Sequence, residues 1–95
     1  MPVVLLAEDD SSLRTLLEVV LEREGYRVVA CGDGEAAGRA LASAAAGQLP
    51  LDAALLDLRM PGVSGSDLLR AIRGDERLRT LRAIAMSGYS DARQA

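Results

Sequence analysis

Three apolar runs in this chain each end in a residue able to do polar chemistry. Val3-Val4-Leu5-Leu6-Ala7 leads into Glu8-Asp9-Asp10, Ala53-Ala54-Leu55-Leu56 into Asp57, and Ala83-Ile84-Ala85-Met86 into Ser87. If the runs lie side by side, Glu8, Asp9 and Asp57 meet on one rim with the Ser87 hydroxyl. Two ionised carboxylates ~4 Å apart repel by about 4 kcal/mol at an effective dielectric of about 20, so such a group either raises a pKa sharply or recruits a cation. A hard divalent ion is the natural remedy. Mg2+, which keeps several waters and takes one or two carboxylates, suits a shallow rim better than a deep cage. Beside it, Asp57 can act as a nucleophile, its carboxylate oxygen attacking a phosphoryl group in line while the ion offsets charge on the transferring oxygens. Ser87 would hydrogen-bond the phosphoryl oxygen.

These residue types also have ordinary structural jobs. Acids and serines after a strand often cap the next helix, and for Asp10 capping is favoured over metal binding, with Ser11 and Ser12 equally able to cap. Asp52 precedes its strand and belongs at the amino edge of the sheet, away from the rim. Asp57 is harder to explain structurally, because a charge directly after four buried residues is costly unless it is paired or liganded. Ser87 alone would be an ordinary loop residue.

The elements that must position these groups follow from periodicity. Short apolar runs without alternation read as strands buried on both faces, as in a parallel sheet, which places ligands at the carboxyl ends of its strands. After the first run, Leu13, Leu16, Leu17, Val20 and Leu21 recur at i, i+3, i+4, i+7 and i+8, one face of an amphipathic helix closed by Gly25. Tyr26-Arg27-Val28-Val29-Ala30-Cys31 is a second strand, followed by a turn at Gly32-Asp33-Gly34. A second helix is expected over residues 35 to about 46, with Ala36, Ala37, Ala40, Leu41 and Ala44 as a small-residue face. Beyond Pro61-Gly62, Ser64 and Asp67 match a capping box with Asp in place of Glu or Gln, and Leu68, Leu69 and Ile72 supply a third helix face. Strand and helix alternate throughout, so the expected fold is an α/β domain with a parallel sheet and right-handed crossovers.

Composition narrows the function classes. A length of 95 residues, 49% of them hydrophobic, allows one domain with a modest core. The net charge of −3 and the absence of lysine argue against nucleic-acid binding by this segment, which would need cationic neutralisation of phosphates. Cys31 is the single cysteine, so no internal disulfide is possible; its apolar neighbours favour a small core residue over a reactive thiol. No apolar stretch approaches the ~20 residues needed to span a bilayer. The N-terminus carries no secretory signal, and a cytoplasmic protein without membrane partners is expected.

Glu8-Asp9 after the first strand, Asp57 within Leu55-Leu56-Asp57-Leu58-Arg59-Met60-Pro61-Gly62, Gly65, and Ser87-Gly88 after the fourth strand together resemble the receiver domain of bacterial response regulators. The resemblance runs the whole chain, residues 1–95. It implies the flavodoxin-like, doubly wound fold with strand order 2-1-3-4-5. It also implies that Asp57 takes a phosphoryl group from a histidine kinase or a phosphotransfer protein. Glu8 and Asp9 would hold Mg2+ together with Asp57 and the backbone carbonyl of Arg59. Ser87 would be the switch hydroxyl and the Gly88 amide would contact the phosphoryl group. Arg59 and Tyr89 stand where side chains in this family gate the phosphoryl group and alter its hydrolysis; solvent-facing loop positions are the equal alternative.

The sequence departs from the family pattern at its end. It stops at Ala95, within an expected fourth helix beginning near Ser90, so the order expected here is 2-1-3-4 with the fifth strand and fifth helix absent. The family's phosphate-facing lysine and aromatic switch residue go with them. A fragment of a longer chain is therefore the expectation, with the fourth strand an exposed edge inviting dimerisation or strand swapping. Two rival functions stand beside the signalling switch: a Mg2+-dependent hydrolase of the haloacid dehalogenase type, which wants an Asp where Arg59 stands, and a receiver-like interaction module that takes no phosphate.

Overall fold

The computed structural model describes residues 1–86. Elements run β1 (Val3–Ala7), α1 (Ser11–Arg23), β2 (Arg27–Cys31), α2 (Gly34–Ala45), β3 (Ala53–Asp57), α3 (Gly65–Gly74), a 3-10 turn (Glu76–Leu78) and β4 (Arg82–Met86). The four strands are all parallel in the order β2-β1-β3-β4, as expected. Element boundaries shift by a residue from the sequence reading: β2 begins at Arg27, β4 at Arg82 and α2 at Gly34. The expected fourth helix lies outside the described residues. No helix among those described is long and apolar enough to cross a membrane.

Local chemistry sets the helix ends. Asp10 caps α1, its Oδ1 accepting from the Leu13 amide at 3.0 Å. Asp33 caps α2 in the same way from Ala36 at 2.7 Å. Ser64 and Asp67 form the reciprocal capping box at the start of α3. Gly25 closes α1 at a φ of 92°, with its own amide bonded to the Glu22 carbonyl and that of Tyr26 to Leu21. That pair of bonds satisfies carbonyls the helix end would otherwise leave open and favours a residue without Cβ. At the opposite edge, Asp52 accepts from the Val3 amide at 2.7 Å, confirming it as a strand-flanking group far from the rim.

The two faces of the sheet are covered unequally. Leu5 and Ala7 of β1, Ala54 and Leu56 of β3, Ala37 and Leu41 of α2, and Leu68 and Ile72 of α3 form one buried cluster, joined by Cys31, Met60 and Leu78. Because side chains alternate along a strand, Leu6 points the other way, under α1. Along the register Leu6, Leu55 and Ile84, burial falls from complete to partial to 58% exposed. The predicted apolar stripe of α1 forms, yet α1 has no buried residue, and Leu16 and Val20 are exposed. Periodicity defines which side of a helix is apolar; coverage depends on what packs there, and among the described residues α1 meets only β1 and β2 at length.

Candidate metal centre

β1 and β3 are neighbours, and their register pairs Ala7 with Leu56. The next residues, Glu8 and Asp57, are thereby delivered side by side at the carboxyl ends of the two central strands. Oxygens of Glu8, Asp9 and Asp57 all lie within 4.8 Å of one another. Glu8 and Asp57 are each only 2% exposed, while Asp9 is open to solvent. The sequence expectation for these acids is thus met in position, and Asp10 caps α1 as favoured.

Hydrogen bonds hold the carboxylates in place. The Arg59 amide donates to Asp57 Oδ1 at 3.0 Å, and the Asp10 amide to Glu8 Oε2 at 3.1 Å. The Glu8 amide donates to the Cys31 carbonyl at 3.1 Å, carrying the β1–β2 ladder one residue into the loop. On the other side, the Leu58 amide donates to the Met86 carbonyl at 3.0 Å, so the chain after Asp57 is tied to β4. Register places Asp57 opposite Met86, the residue before Ser87. Ser87, Gly88 and Tyr89 lie outside the described residues.

Close backbone approaches fix the loop after Asp57. A Cβ on Gly65 would fall 2.2 Å from the Asp57 carbonyl oxygen and 2.9 Å from Leu58 Cα. On Gly34 it would fall 1.9 Å from the Val63 carbonyl oxygen. The starts of α2 and α3 therefore press against the β3–α3 loop with no room for a side chain. Met60, buried at 6% exposure in the main cluster, anchors the same loop from below.

Electrostatics show what the cluster favours. Burial, opposed in part by the Asp10 amide and reinforced by Asp57, pushes Glu8 up from an ordinary 4.5 to about 7. Even at the full 4.8 Å an ionised pair would repel by about 3 kcal/mol at an effective dielectric of about 20. An oxygen-only donor set with two buried carboxylates and one exposed arm is the chemistry a hard divalent cation prefers. The residues present fit Mg2+. Burial likewise raises the Cys31 thiol, agreeing with its reading as a core residue.

Two residues near the rim have a place here that the sequence does not signal, Arg14 and the turn residue Gly32. Arg14, one turn into α1, donates from Nη1 to the Glu8 carbonyl at 2.9 Å, and Gly32 lies beneath its guanidinium. The only sequence signal was an arginine six positions after Glu8 on a helix facing β2, which says nothing of where its long side chain turns.

Comparison with known proteins adds an independent line. The family model described as the response regulator receiver domain matches residues 4–95. The transcriptional activator protein PfeR of Pseudomonas aeruginosa is 36% identical over 94 residues, covering 95% of this chain and 28% of that protein. The transcriptional regulatory protein AruR of the same species is 42% identical over 72 residues, covering 76% of this chain and 30% of that protein. The chain thus spans about 30% of the length of these curated relatives. Among solved structures, response regulator protein TrrA of Thermotoga maritima, in complex with Mg(2+)-BeF, superposes with a TM-score of 0.82 at 30% identity, over 99% of this chain and 76% of that one. The receiver domain of sensor histidine kinase PA1611 of Pseudomonas aeruginosa, with a magnesium ion in its active-site cleft, gives 0.78 at 34% identity, over 94% and 69%.

Proposed function

Because this chain belongs to the response regulator receiver domain family, we propose that Asp57 accepts a phosphoryl group from the phosphohistidine of a histidine kinase or phosphotransfer protein, and that the phosphorylated state is the signal. A carboxylate oxygen of Asp57 attacks phosphorus, the P–N bond to the donor imidazole breaks, and the nitrogen keeps the electron pair and takes up a proton. The Arg59 amide at 3.0 Å holds Oδ1, which leaves Oδ2 the freer nucleophile. Glu8, Asp9, Asp57 and the Arg59 carbonyl would hold Mg2+, which supplies charge compensation for the oxygens in transfer. Ser87 and the Gly88 amide are proposed to receive the phosphoryl oxygens, and Arg59 and Tyr89 to limit access of water. What supports the roles of Ser87 and Gly88 is that Met86, the residue before Ser87, pairs with Asp57.

The observation that carries this reading is a buried aspartate at a strand end with two further carboxylates within 4.8 Å. A signalling role, rather than turnover of a substrate, follows from the family, and the hydrolase alternative finds Arg59 where its acid would stand. The relatives are transcriptional regulators of which this chain matches about 30%. An output on DNA would accordingly belong to sequence other than these residues, whose net charge of −3 disfavours phosphate contacts. The single buried cysteine supports a cytoplasmic setting. Incubation with Mg2+ and acetyl phosphate should add the mass of one phosphoryl group, and the adduct should vanish in Asp57→Asn and on chelation. Sustained release of phosphate from a phosphomonoester, or an adduct that survives in Asp57→Asn, would refute the reading.

A further inference from the structure

Arg14 ties together two loops of the rim. Half-buried on α1, it donates from Nη1 to the Glu8 carbonyl at 2.9 Å. The same guanidinium lies over Gly32, just past β2, where an added Cβ would come within 3.1 Å of Nη1 and 3.4 Å of Cζ. The Glu8 amide is already fixed from the opposite direction by the Cys31 carbonyl at 3.1 Å. Both backbone polar groups of Glu8 are thus held, and its C=O shares a rigid peptide plane with the Asp9 nitrogen. Restraining that plane sets the direction in which the exposed Asp9 side chain leaves the backbone.

We propose that Arg14 is a positioning residue for the carboxylate cluster, holding Glu8 and Asp9 in the arrangement that receives a divalent cation, and that Gly32 serves by leaving room for its guanidinium. The inference rests on the reading of Glu8, Asp9 and Asp57 as a cation site. Its sign separates it from plain electrostatics. Arginine is always charged, so its removal relieves repulsion of an incoming Mg2+ and, by charge alone, would tighten binding. Positioning predicts the opposite.

Calorimetric titration with MgCl2 of the parent, Arg14→Ala, Gly32→Ala, the double variant and Arg23→Ala gives the test. Arg23, in the last turn of α1, controls for loss of one positive charge on the same helix. Arg14→Ala should weaken Mg2+ binding by about tenfold, the lower range for loss of a group that orients metal ligands. Gly32→Ala should weaken it less, and the double variant should be no worse than Arg14→Ala, since the added methyl matters only while the guanidinium is there. Arg23→Ala should leave affinity the same or slightly tighter. In metal-free protein, amide hydrogen exchange at Asp9 and Asp10 should quicken in Arg14→Ala while the melting temperature stays close to that of the parent. Equal or tighter Mg2+ binding by Arg14→Ala, or additive effects in the double variant, would overturn the proposal. If the parent itself binds no Mg2+, the cation reading falls and the exchange data decide the clamp: faster exchange at Asp9 and Asp10 supports it, unchanged exchange rejects it.

Discussion

Lowering the pH from 8 to 6 titrates Glu8 in the metal-free protein, and the effect on cation binding can be worked from its position. Glu8 is 2% exposed and burial is the main cause of its rise from 4.5 to about 7, with Asp57 adding to it. A group with that pKa is about 90% ionised at pH 8 and about 10% at pH 6, so binding that requires the ionised form weakens by nearly tenfold, about 1.3 kcal/mol. Calorimetry in two buffers of different ionisation enthalpy should count about half a proton released per Mg2+ at pH 7. Glu8→Gln should bind more weakly at pH 8 and lose most of the pH dependence. The same shift governs stability without metal. Because the folded pKa is raised, the contribution is fully present below pH 4.5 and is lost as pH rises through about 7. At pH 8 the ionised carboxylate costs roughly 3 kcal/mol relative to the unfolded chain, so Glu8→Gln should raise metal-free stability there and leave it unchanged near pH 4. A Mg2+ affinity constant between pH 6 and 8, with no proton released, would show that Glu8 is already ionised in the empty site and refute the reasoning.

Glycine substitutions give a second test with opposite signs. Gly65→Ala, whose methyl would meet the Asp57 carbonyl oxygen at 2.2 Å, should destabilise by about 3 kcal/mol and reduce Mg2+ affinity through the displaced loop. Gly38→Ala, inside α2 with nothing within 4 Å of its added methyl, should stabilise by about 0.5–1 kcal/mol; equilibrium urea unfolding of both checks the contrast. Tyr89→Ala should hasten loss of the phosphoryl group from Asp57, followed by intact mass after removal of the donor, and an unchanged half-life would end the gating role.

How far the sequence could be read depends on whether a feature is local. Glu8 and Asp57 were legible because strands buried on both faces leave unbroken apolar runs, and a charge at the end of such a run needs an explanation. That the sheet is parallel could be read from the alternation of elements, its strand order only from the family resemblance, and the Ser64 and Asp67 capping box from their spacing. Asp33 reads as part of a turn from sequence, and caps α2 in the structure, because a cap and a turn use the same residue types. The contact of Arg14 with Gly32 is not legible in the sequence, because it depends on how α1 lies across β2, which no spacing encodes. Gly34 against Val63 is likewise a contact between segments remote in sequence. The apolar stripe of α1 is legible in the sequence, but a stripe records a preference for cover and not what provides it.

The pairing of Ala7 with Leu56 has a consequence for how the folded chain can be certified. Side chains alternate along a strand, so a slip of β3 by one residue against β1 would turn Asp57 to the opposite face and carry it away from Glu8. Exchange of β4 between molecules would leave Glu8, Asp9 and Asp57 together. Cation binding at this cluster would therefore work as a checksum on the pairing of β1 with β3: a preparation that titrates to one Mg2+ per chain would have these two strands in register, whatever β4 has done.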